Sequence, residues 1–315
     1  MLKYLLRRLT TLLPVLLLVS FLSFSLIYLV PGDPAAAILG DSVGNTELYN
    51  KLRAELGLDR PFLMQYLDWL GGLLKGQLGV SIVAGQSIAE QILESLGPSL
   101  MLTVTSMTVA ISIGISLGLL AGSSLGTRLD AFLSSVAVVG FSVPGFLVGI
   151  MLLYVFTVMW PVLPSGGYVP FTEDPLGCLR SLVLPSLALG SALSAVLMRQ
   201  MRGSMAKTMH QDFILVAKAK GLPHRTIIVG HALKNSLIPV ITIIGLQIGN
   251  VIGGVAVIET IFSLPGMGHL AVDSIMSRNY PMLQAVILLT AVAVMLINLA
   301  VDLLYAVVDP RIRYE

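Results

Sequence analysis

The reactive side chains of this sequence are few, and their spacing limits the chemistry that they could perform. The chain has four histidines, His210, His224, His231 and His269, and one cysteine, Cys178. His224 and His231 are seven residues apart, whereas the HExxH helix of zinc proteases places its histidines four apart. A lone cysteine forms neither an intrachain disulfide nor a CxxC site, and the sequence has no GxxxxGK(S/T) loop for ATP phosphates. The sequence therefore predicts no catalytic residue, no cofactor site and no metal site.

The most informative polar stretch lies in the second half of the chain. Asp212 opens a run of good helix formers, Gly221 is well placed to end that helix, and Pro223 prevents its continuation. A second short helix is predicted from about His224 to Lys234, before the chain becomes apolar again. From spacing alone, this helix–glycine–helix element either docks a partner or is a solvated basic loop that only sets the topology.

The elements that must position this stretch are apolar. Of the 315 residues, 56% are hydrophobic and 11% charged, and the mean hydropathy is +0.90, whereas a soluble domain has about 25% charged residues. A transmembrane helix needs about 20 apolar residues. The segments that approach this length are 9–30, 98–121, 131–160, 182–198, 237–258 and 282–307. We therefore predict an all-α integral membrane protein with six transmembrane helices, the first retained rather than cleaved and the third kinked at Pro144-Gly145.

The placement of Lys and Arg predicts the orientation of these helices. Thirteen of the nineteen lie near the ends of the chain, around Arg128 or in residues 199–235, and positive residues favour the cytoplasmic side. Both termini are therefore expected in the cytoplasm. The predicted divisions are a first helix with a small extracytoplasmic helical region (1–96), a five-helix domain (97–308) with a cytoplasmic loop (199–236), and a tail (309–315).

Two predicted spans carry glycines at every fourth position, which puts each set on one helix face. These are Gly114, Gly118 and Gly122 in the second span, and Gly245, Gly249 and Gly253 in the fifth. Two interpretations stay open for them: tight packing within one subunit, or a subunit interface or sliding face used in gating.

Several runs together resemble one family. Residues 212–223 (DFILVAKAKGLP), followed by 231–239 (HALKNSLIP), are similar to the EAA loop of ABC-importer permeases, and more narrowly to the dipeptide/oligopeptide/nickel permease family. The resemblance extends over nearly the whole chain through PGDP at 31–34, LGLDRP at 56–61, ETIFSLPGMG at 259–268 and RNYP at 278–281. The general Glu-Ala-Ala trio is replaced by Leu215, Val216 and Ala217, so the role of its glutamate is not carried over to Leu215.

The resemblance implies a type I ABC importer permease fold in the inner membrane, and a transport subunit that is not an enzyme. Its partners would be a second homologous permease, two ATPase subunits that bind ATP and Mg, and an extracytoplasmic substrate-binding protein. Its cargo would be di- or oligopeptides, with nickel (or a nickel chelate) or glutathione as alternatives. The residues expected to couple to the ATPase are Asp212, Ala217, Lys218, Gly221, Leu222, Pro223 and Arg225.

The segment after the fifth span supplies outer-gate candidates. They are Glu259, Pro265, Gly266 and Arg278. An ordinary surface or re-entrant helix is the alternative for this segment. A remote alternative for the whole chain is a self-sufficient carrier or intramembrane enzyme. It would need an ion relay or a nucleophile–base pair inside the spans, and no histidine or lysine lies within a predicted span.

Overall fold

The structure is a computed structural model that describes residues 2–29, 34–39, 44–55, 57–81, 83 and 85–308. In these ranges the regular secondary structure is helical, apart from an isolated antiparallel bridge between Val80 and Ser87. The predicted tail, 309–315, and most of the PGDP run lie outside the described residues. The all-α prediction is confirmed for the part of the chain that the structure describes.

The first part of the chain forms one long apolar helix and three short ones. They are α1 (Leu2–Leu29), α2 (Pro34–Leu39), α3 (Thr46–Glu55) and α4 (Phe62–Leu74). The ring of Phe24 on α1 packs against the rings of Phe62 and Trp69 on α4, with centroids 5.5 and 5.4 Å apart. This aromatic cluster holds α4 against the end of α1.

The remainder is a bundle of helices. Its elements are α5 (Ile88–Ser123), α6 (Arg128–Ser142), α7 (Gly145–Leu153), α8 (Pro175–Met209), α9 (Asp212–Ala219), α10 (His224–Thr226), α11 (Leu233–Gly254), α12 (Ala256–Ile261), α13 (Met267–Met276) and α14 (Tyr280–Val308). One π-helical turn, Tyr154–Met159, follows α7, and another, Ile227–Ala232, joins α10 to α11. α1 attaches to α14, where Ser23 Oγ donates to the Gln284 carbonyl (2.9 Å) and Gln284 Nε2 donates to the Phe24 carbonyl (3.0 Å).

Among the described residues, five helices are long and apolar enough to cross a membrane. They lie at 10–28, 88–123, 175–209, 224–249 and 280–301. The predicted third span is not one straight helix, because α6 and the α7 segment meet at an angle of 94°. Pro144 is the cause: the residue before a proline is driven out of the helical conformation, and Val143 is extended (φ −83°, ψ 123°). The described part therefore contains five spans, or six if this bent pair crosses as one.

α5 and α8 form the centre of the bundle and run parallel. Along α5, the successive glycines Gly114, Gly118 and Gly122 face Leu197, Met201 and Met205 of α8 in the same order. A Cβ added at Gly118 would lie 2.6 Å from Met201 Cβ and 2.7 Å from the Met198 carbonyl oxygen. The two backbones therefore approach so closely that a side chain at these α5 positions would push them apart.

Two predicted boundaries were wrong. α8 continues through residues 199–209, which were assigned to a loop, and the helix expected at 224–234 runs through the π-helical turn into α11 without a break. Charged residues indicate where a helix leaves an apolar environment, but the helix itself can continue beyond that point. Met201 and Met205 in this extension are fully buried, so packing extends α8 beyond the apolar segment.

Candidate functional site

α9 and the turn after it form a rigid unit at the end of the bundle where α5 and α8 terminate. Gly221 has a φ of +72°, its N–H donates to the Lys218 carbonyl (2.9 Å), and the Leu222 N–H donates to the Ala217 carbonyl (3.3 Å). These two bonds are those of a Schellman motif, which favours glycine at the left-handed position. A Cβ at Gly221 would meet nothing within 4 Å, so glycine is needed here for its backbone conformation and not for space.

The inner face of α9 is buried in the bundle. Ile214 and Ala217 are 0% and 4% exposed and pack in one cluster with Met201 and Met205 of α8, while the half-buried Leu222 packs against its edge. Ala217, which was expected to couple to the ATPase, therefore lies on the face that seats α9 and not on a free surface.

The outer face of α9 exposes apolar side chains. Leu215 and Val216 are 57% and 54% exposed, and Phe213 beside them is 40% exposed. The exposed charged residues Asp212 and Lys218 lie on the same short helix, and the exposed Lys220 directly follows it. Exposed apolar residues surrounded by charge are typical of an interaction site. Sequence reasoning missed Phe213, Leu215 and Val216. The apolar run FILV at 213–216 was a usable signal, because four consecutive apolar residues cannot all lie on the one buried face of an eight-residue helix.

The turn after α9 places the remaining predicted coupling residues on the surface. Pro223 is exposed directly before α10, and its carbonyl accepts from the Ile227 N–H at 3.2 Å. Arg225 is exposed on α10. These residues continue the surface that begins on α9.

A polar contact joins the two helices that flank α9. Ser236 near the start of α11 is fully buried, and its Oγ donates to Thr208 Oγ1 on α8 (3.0 Å). In return, Ser204 Oγ donates to the Ser236 carbonyl (2.8 Å). The chain therefore enters and leaves α9 from two helices that are tied together.

At the other end of the bundle, the fully buried Glu259 of α12 organises the start of α13. Its Oε1 accepts from Ser99 Oγ of α5 (2.5 Å), and its Oε2 accepts from the His269 N–H (2.9 Å). Ser99 Oγ in turn accepts from the Met267 N–H (2.8 Å). The first N–H groups of a helix lack partners within it and favour negative charge, so Glu259 and Ser99 together cap α13.

Gly266 leaves the space that this carboxylate occupies. A Cβ at Gly266 would lie 2.2 to 2.5 Å from the carboxyl atoms of Glu259, and a Cβ at Gly268 would lie 2.4 Å from Ala256 Cα. Pro265 is exposed in the turn between α12 and α13. Glycine is therefore needed at positions 266 and 268 because the start of α13 lies so close to α12.

Arg278 lies apart from the other outer-gate candidates. It is exposed after the C-terminal end of α13 in the left-handed conformation (φ +56°), and the Asn279 N–H next to it donates to the Ser274 carbonyl (2.8 Å). A helix of ten residues is about 15 Å long. The four candidates thus form two groups, with Glu259, Pro265 and Gly266 at one end of α13 and Arg278 at the other.

Of the three glycines on α11, Gly249 faces another helix of the same chain. Gly245 and Gly249 are buried, and a Cβ at Gly249 would lie 2.9 Å from Asn298 Oδ1 of α14. The surroundings of Gly253 lie outside the described residues.

Known proteins resemble this chain over its whole length. Residues 114–314 match the family model of the binding-protein-dependent transport system inner membrane component, and residues 1–102 match that of the N-terminal part of such membrane components. A putative peptide permease protein of Brucella suis is 40% identical, with 99% of each chain covered. The glutathione transport system permease protein GsiC of Escherichia coli O6:H1 is 38% identical, and the dipeptide transport system permease protein DppB of Escherichia coli K12 is 36% identical, each with 100% of both chains covered.

A solved structure shares the fold. The crystal structure of an amino acid ABC transporter with histidines matches with a TM-score of 0.53 at 14% identity, covering 69% of this chain and 94% of that one. Both family models and the full-length relatives agree on one assignment. The chain belongs to the family of binding-protein-dependent transport system inner membrane components, and is a non-catalytic, multi-pass inner-membrane permease of an ABC transporter.

Proposed function

We propose that this chain is one of two homologous permease subunits that together form the path for di- or oligopeptides through the inner membrane. An extracytoplasmic binding protein would deliver the cargo, and two ATPase subunits, which hold ATP and Mg, would drive the cycle. The peptide assignment rests on full-length relatives whose names specify peptides or dipeptides. Glutathione is the second candidate, because GsiC is 38% identical over the whole chain.

The observation that carries this proposal is the exposed outer face of α9, made of Phe213, Leu215 and Val216. Apolar side chains at the centre of an interface supply most of its binding energy, and a charged rim surrounds them. The outer face and its flanking charges fit a groove on an ATPase subunit. Ile214 and Ala217 pack the opposite face of α9 against the bundle. A displacement of the outer face would therefore be passed to α8 through direct packing contacts.

The proposed arrangement has six spans, with both termini on the cytoplasmic side. Thirteen of the nineteen Lys and Arg residues support this orientation. The course of the bent pair also supports it: Gly140 approaches Ala195 of α8, and beyond the bend Gly145 approaches Ala188, a position nearer the start of α8. This advance along α8 favours a chain that crosses the bundle over one that turns back.

At the opposite end, we propose that the capped α13 contributes to the outer gate. Glu259 and Ser99 connect α12, α13 and α5, so a movement of α5 would displace α13. Arg278, at the far end of α13, is placed to contact a binding protein because it is exposed.

The docking proposal is tested by substituting the outer face. A Leu215→Asp/Val216→Asp variant should lose ATPase co-purification, because two apolar side chains would be replaced by carboxylates that are costly to bury without a partner. Leu74→Asp is the matched control, since Leu74 on α4 is 83% exposed and lies in a different element. Equal recovery of ATPase with both variants would contradict the proposal.

The cargo is tested by uptake. A deletion strain that carries the complete transporter should accumulate labelled dipeptides or oligopeptides. Accumulation of glutathione alone, or of nickel alone, would replace the peptide assignment by one of the alternatives. Uptake by the purified chain alone in liposomes would favour a self-sufficient carrier instead.

A further inference from the structure

An ion pair between the buried Asp130 and Arg202, whose side chain is 36% exposed, joins α6 to α8 near the end of the bundle that carries α9. Asp130, in the first turn of α6, is 3% exposed. Arg202 of α8 donates to both of its carboxylate oxygens, from Nε to Oδ1 (2.5 Å) and from Nη2 to Oδ2 (2.8 Å). The Gly126 N–H and the Ser134 hydroxyl also donate to this carboxylate, at 3.0 and 3.3 Å. A bidentate arginine–carboxylate pair fixes relative orientation as well as distance.

The rest of the contact between α6 and α8 is apolar, with Leu133 and Ala137 of α6 packed against Ala195 and Met198 of α8. Leu133, Ala137 and Gly140 lie on the same face of α6 as Asp130. A Cβ added at Gly140 would lie 3.8 Å from Ala195 Cβ of α8. The other side of α6 is exposed, with Phe132 at 64% and other apolar residues above 40%. To this apolar contact the ion pair adds a directional interaction that fixes the orientation of α6 against α8.

Arg202 lies on the stretch of α8 that also seats α9. Met201 and Met205, on either side of it in the sequence, pack with Ile214 and Ala217 of α9. Arg199, one turn earlier, places its guanidinium 4.6 Å from the ring centroid of Phe141 at the other end of α6. The same three turns of α8 therefore hold α9 on one side and α6 on another.

We propose that Asp130 and Arg202 are positioning residues that make α6 and the final turns of α8 one rigid body, so that a displacement of α9 carries α6 with it. This inference rests on the proposed function, because the displacement comes from an ATPase docked on α9. Removing Arg202 would leave the buried Asp130 carboxylate uncompensated, and removing the Asp130 charge would leave Arg202 without its bidentate partner, whereas exchanging the two residues keeps the pair. The pair therefore transmits the orientation of α8 to the segment that leads into the bend at Pro144.

Charge substitution in the assembled complex is the first test. Asp130→Asn should lower cargo transport about tenfold, a coupling effect of ordinary size, while ATPase co-purification stays unchanged and cargo-loaded binding protein no longer stimulates ATP hydrolysis. The exchange variant Asp130→Arg/Arg202→Asp should recover part of the transport. Normal transport by Asp130→Asn would overturn the inference.

A reversible cross-link is the second test, and it does not depend on how well the charge variants fold. Gly140→Cys and Ala195→Cys would place two Cβ atoms 3.8 Å apart, which is about the usual separation in a disulfide. The background variant is Cys178→Ala, since Cys178 is the one natural cysteine. After oxidation with copper–phenanthroline, the cross-linked protein should transport as well as the reduced form, and the cross-link should restore transport to Asp130→Asn.

Loss of transport on oxidation, reversed by a reductant, would show that α6 and α8 must separate, and would overturn the inference. Failure of the disulfide to form would equally contradict the close approach. The docking proposal fails separately, since it is contradicted only when the Leu215→Asp/Val216→Asp variant retains its ATPase.

Discussion

At the scale of single residues, Glu259 illustrates how a carboxylate can be required without taking part in catalysis. It accepts from a serine 160 positions earlier in the sequence and from the backbone of the helix that follows it. Its neighbour Gly266 is glycine because the carboxylate fills the place of a side chain. The sequence analysis named Glu259 and Gly266 among the same outer-gate candidates, but it did not predict their contact or the role of Ser99, because no local pattern indicates a partner 160 residues away.

Gly266→Ala should displace the Glu259 carboxylate and loosen the start of α13. Overpacking of this kind costs about 1–3 kcal/mol, so the melting temperature in detergent should fall. Gly97→Ala is the control near the same end of α5, where an added Cβ would meet nothing within 4 Å. A melting temperature equal to that of the control would contradict the role assigned to Gly266.

Gly221 permits a second residue-level prediction. Its φ of +72° disfavours β-branched residues, and the left-handed conformation costs about 1–2 kcal/mol in an ordinary L-residue. Gly221→Val should therefore insert in the membrane but lose transport and ATPase co-purification. Asparagine tolerates this conformation, so Gly221→Asn is the control and should keep both. Wild-type transport by Gly221→Val would show that the end of α9 does not need this turn.

At the scale of elements, the contact between α5 and α8 depends on a row of glycines. Gly118→Ala would place a Cβ 2.6 Å from Met201 Cβ, which should separate the helices and lower stability by about 1–3 kcal/mol. Gly203→Ala on α8 is the matched control, since a Cβ there would meet nothing within 4 Å. Thermal unfolding of the two variants in detergent should differ clearly, and equal stability would argue against close packing at Gly118.

The elements differ in how far sequence could predict them. The end of α9 was predictable because Gly221 and Pro223 are strong local stop signals. The extension of α8 was not, since its packing against α9 decides it and its polar residues suggested a loop. The inward orientation of Ala217 could have been found from its spacing of three from Ile214, which places both on one face of a helix.

At the scale of the whole molecule, orientation can be tested by labelling. In the Cys178→Ala background, a cysteine at Met276, which is 78% exposed, should react with a membrane-impermeant maleimide added outside intact spheroplasts. A cysteine at Leu215 should react only after the membrane is opened. The opposite pattern would reverse the proposed topology, and labelling of both residues from outside would contradict the crossing of α8.

α9 has one face packed in the bundle and one exposed outer face, and under the proposed docking these two faces have separate tasks. Ile214 and Ala217 determine whether the helix folds onto the bundle, while Phe213, Leu215 and Val216 are free to vary without disturbing that fold. If the outer face docks the ATPase as proposed, the choice of partner is independent of the stability of the fold. Such a permease can be retargeted, in evolution or by design, by grafting the free face of a homologue onto an unchanged scaffold.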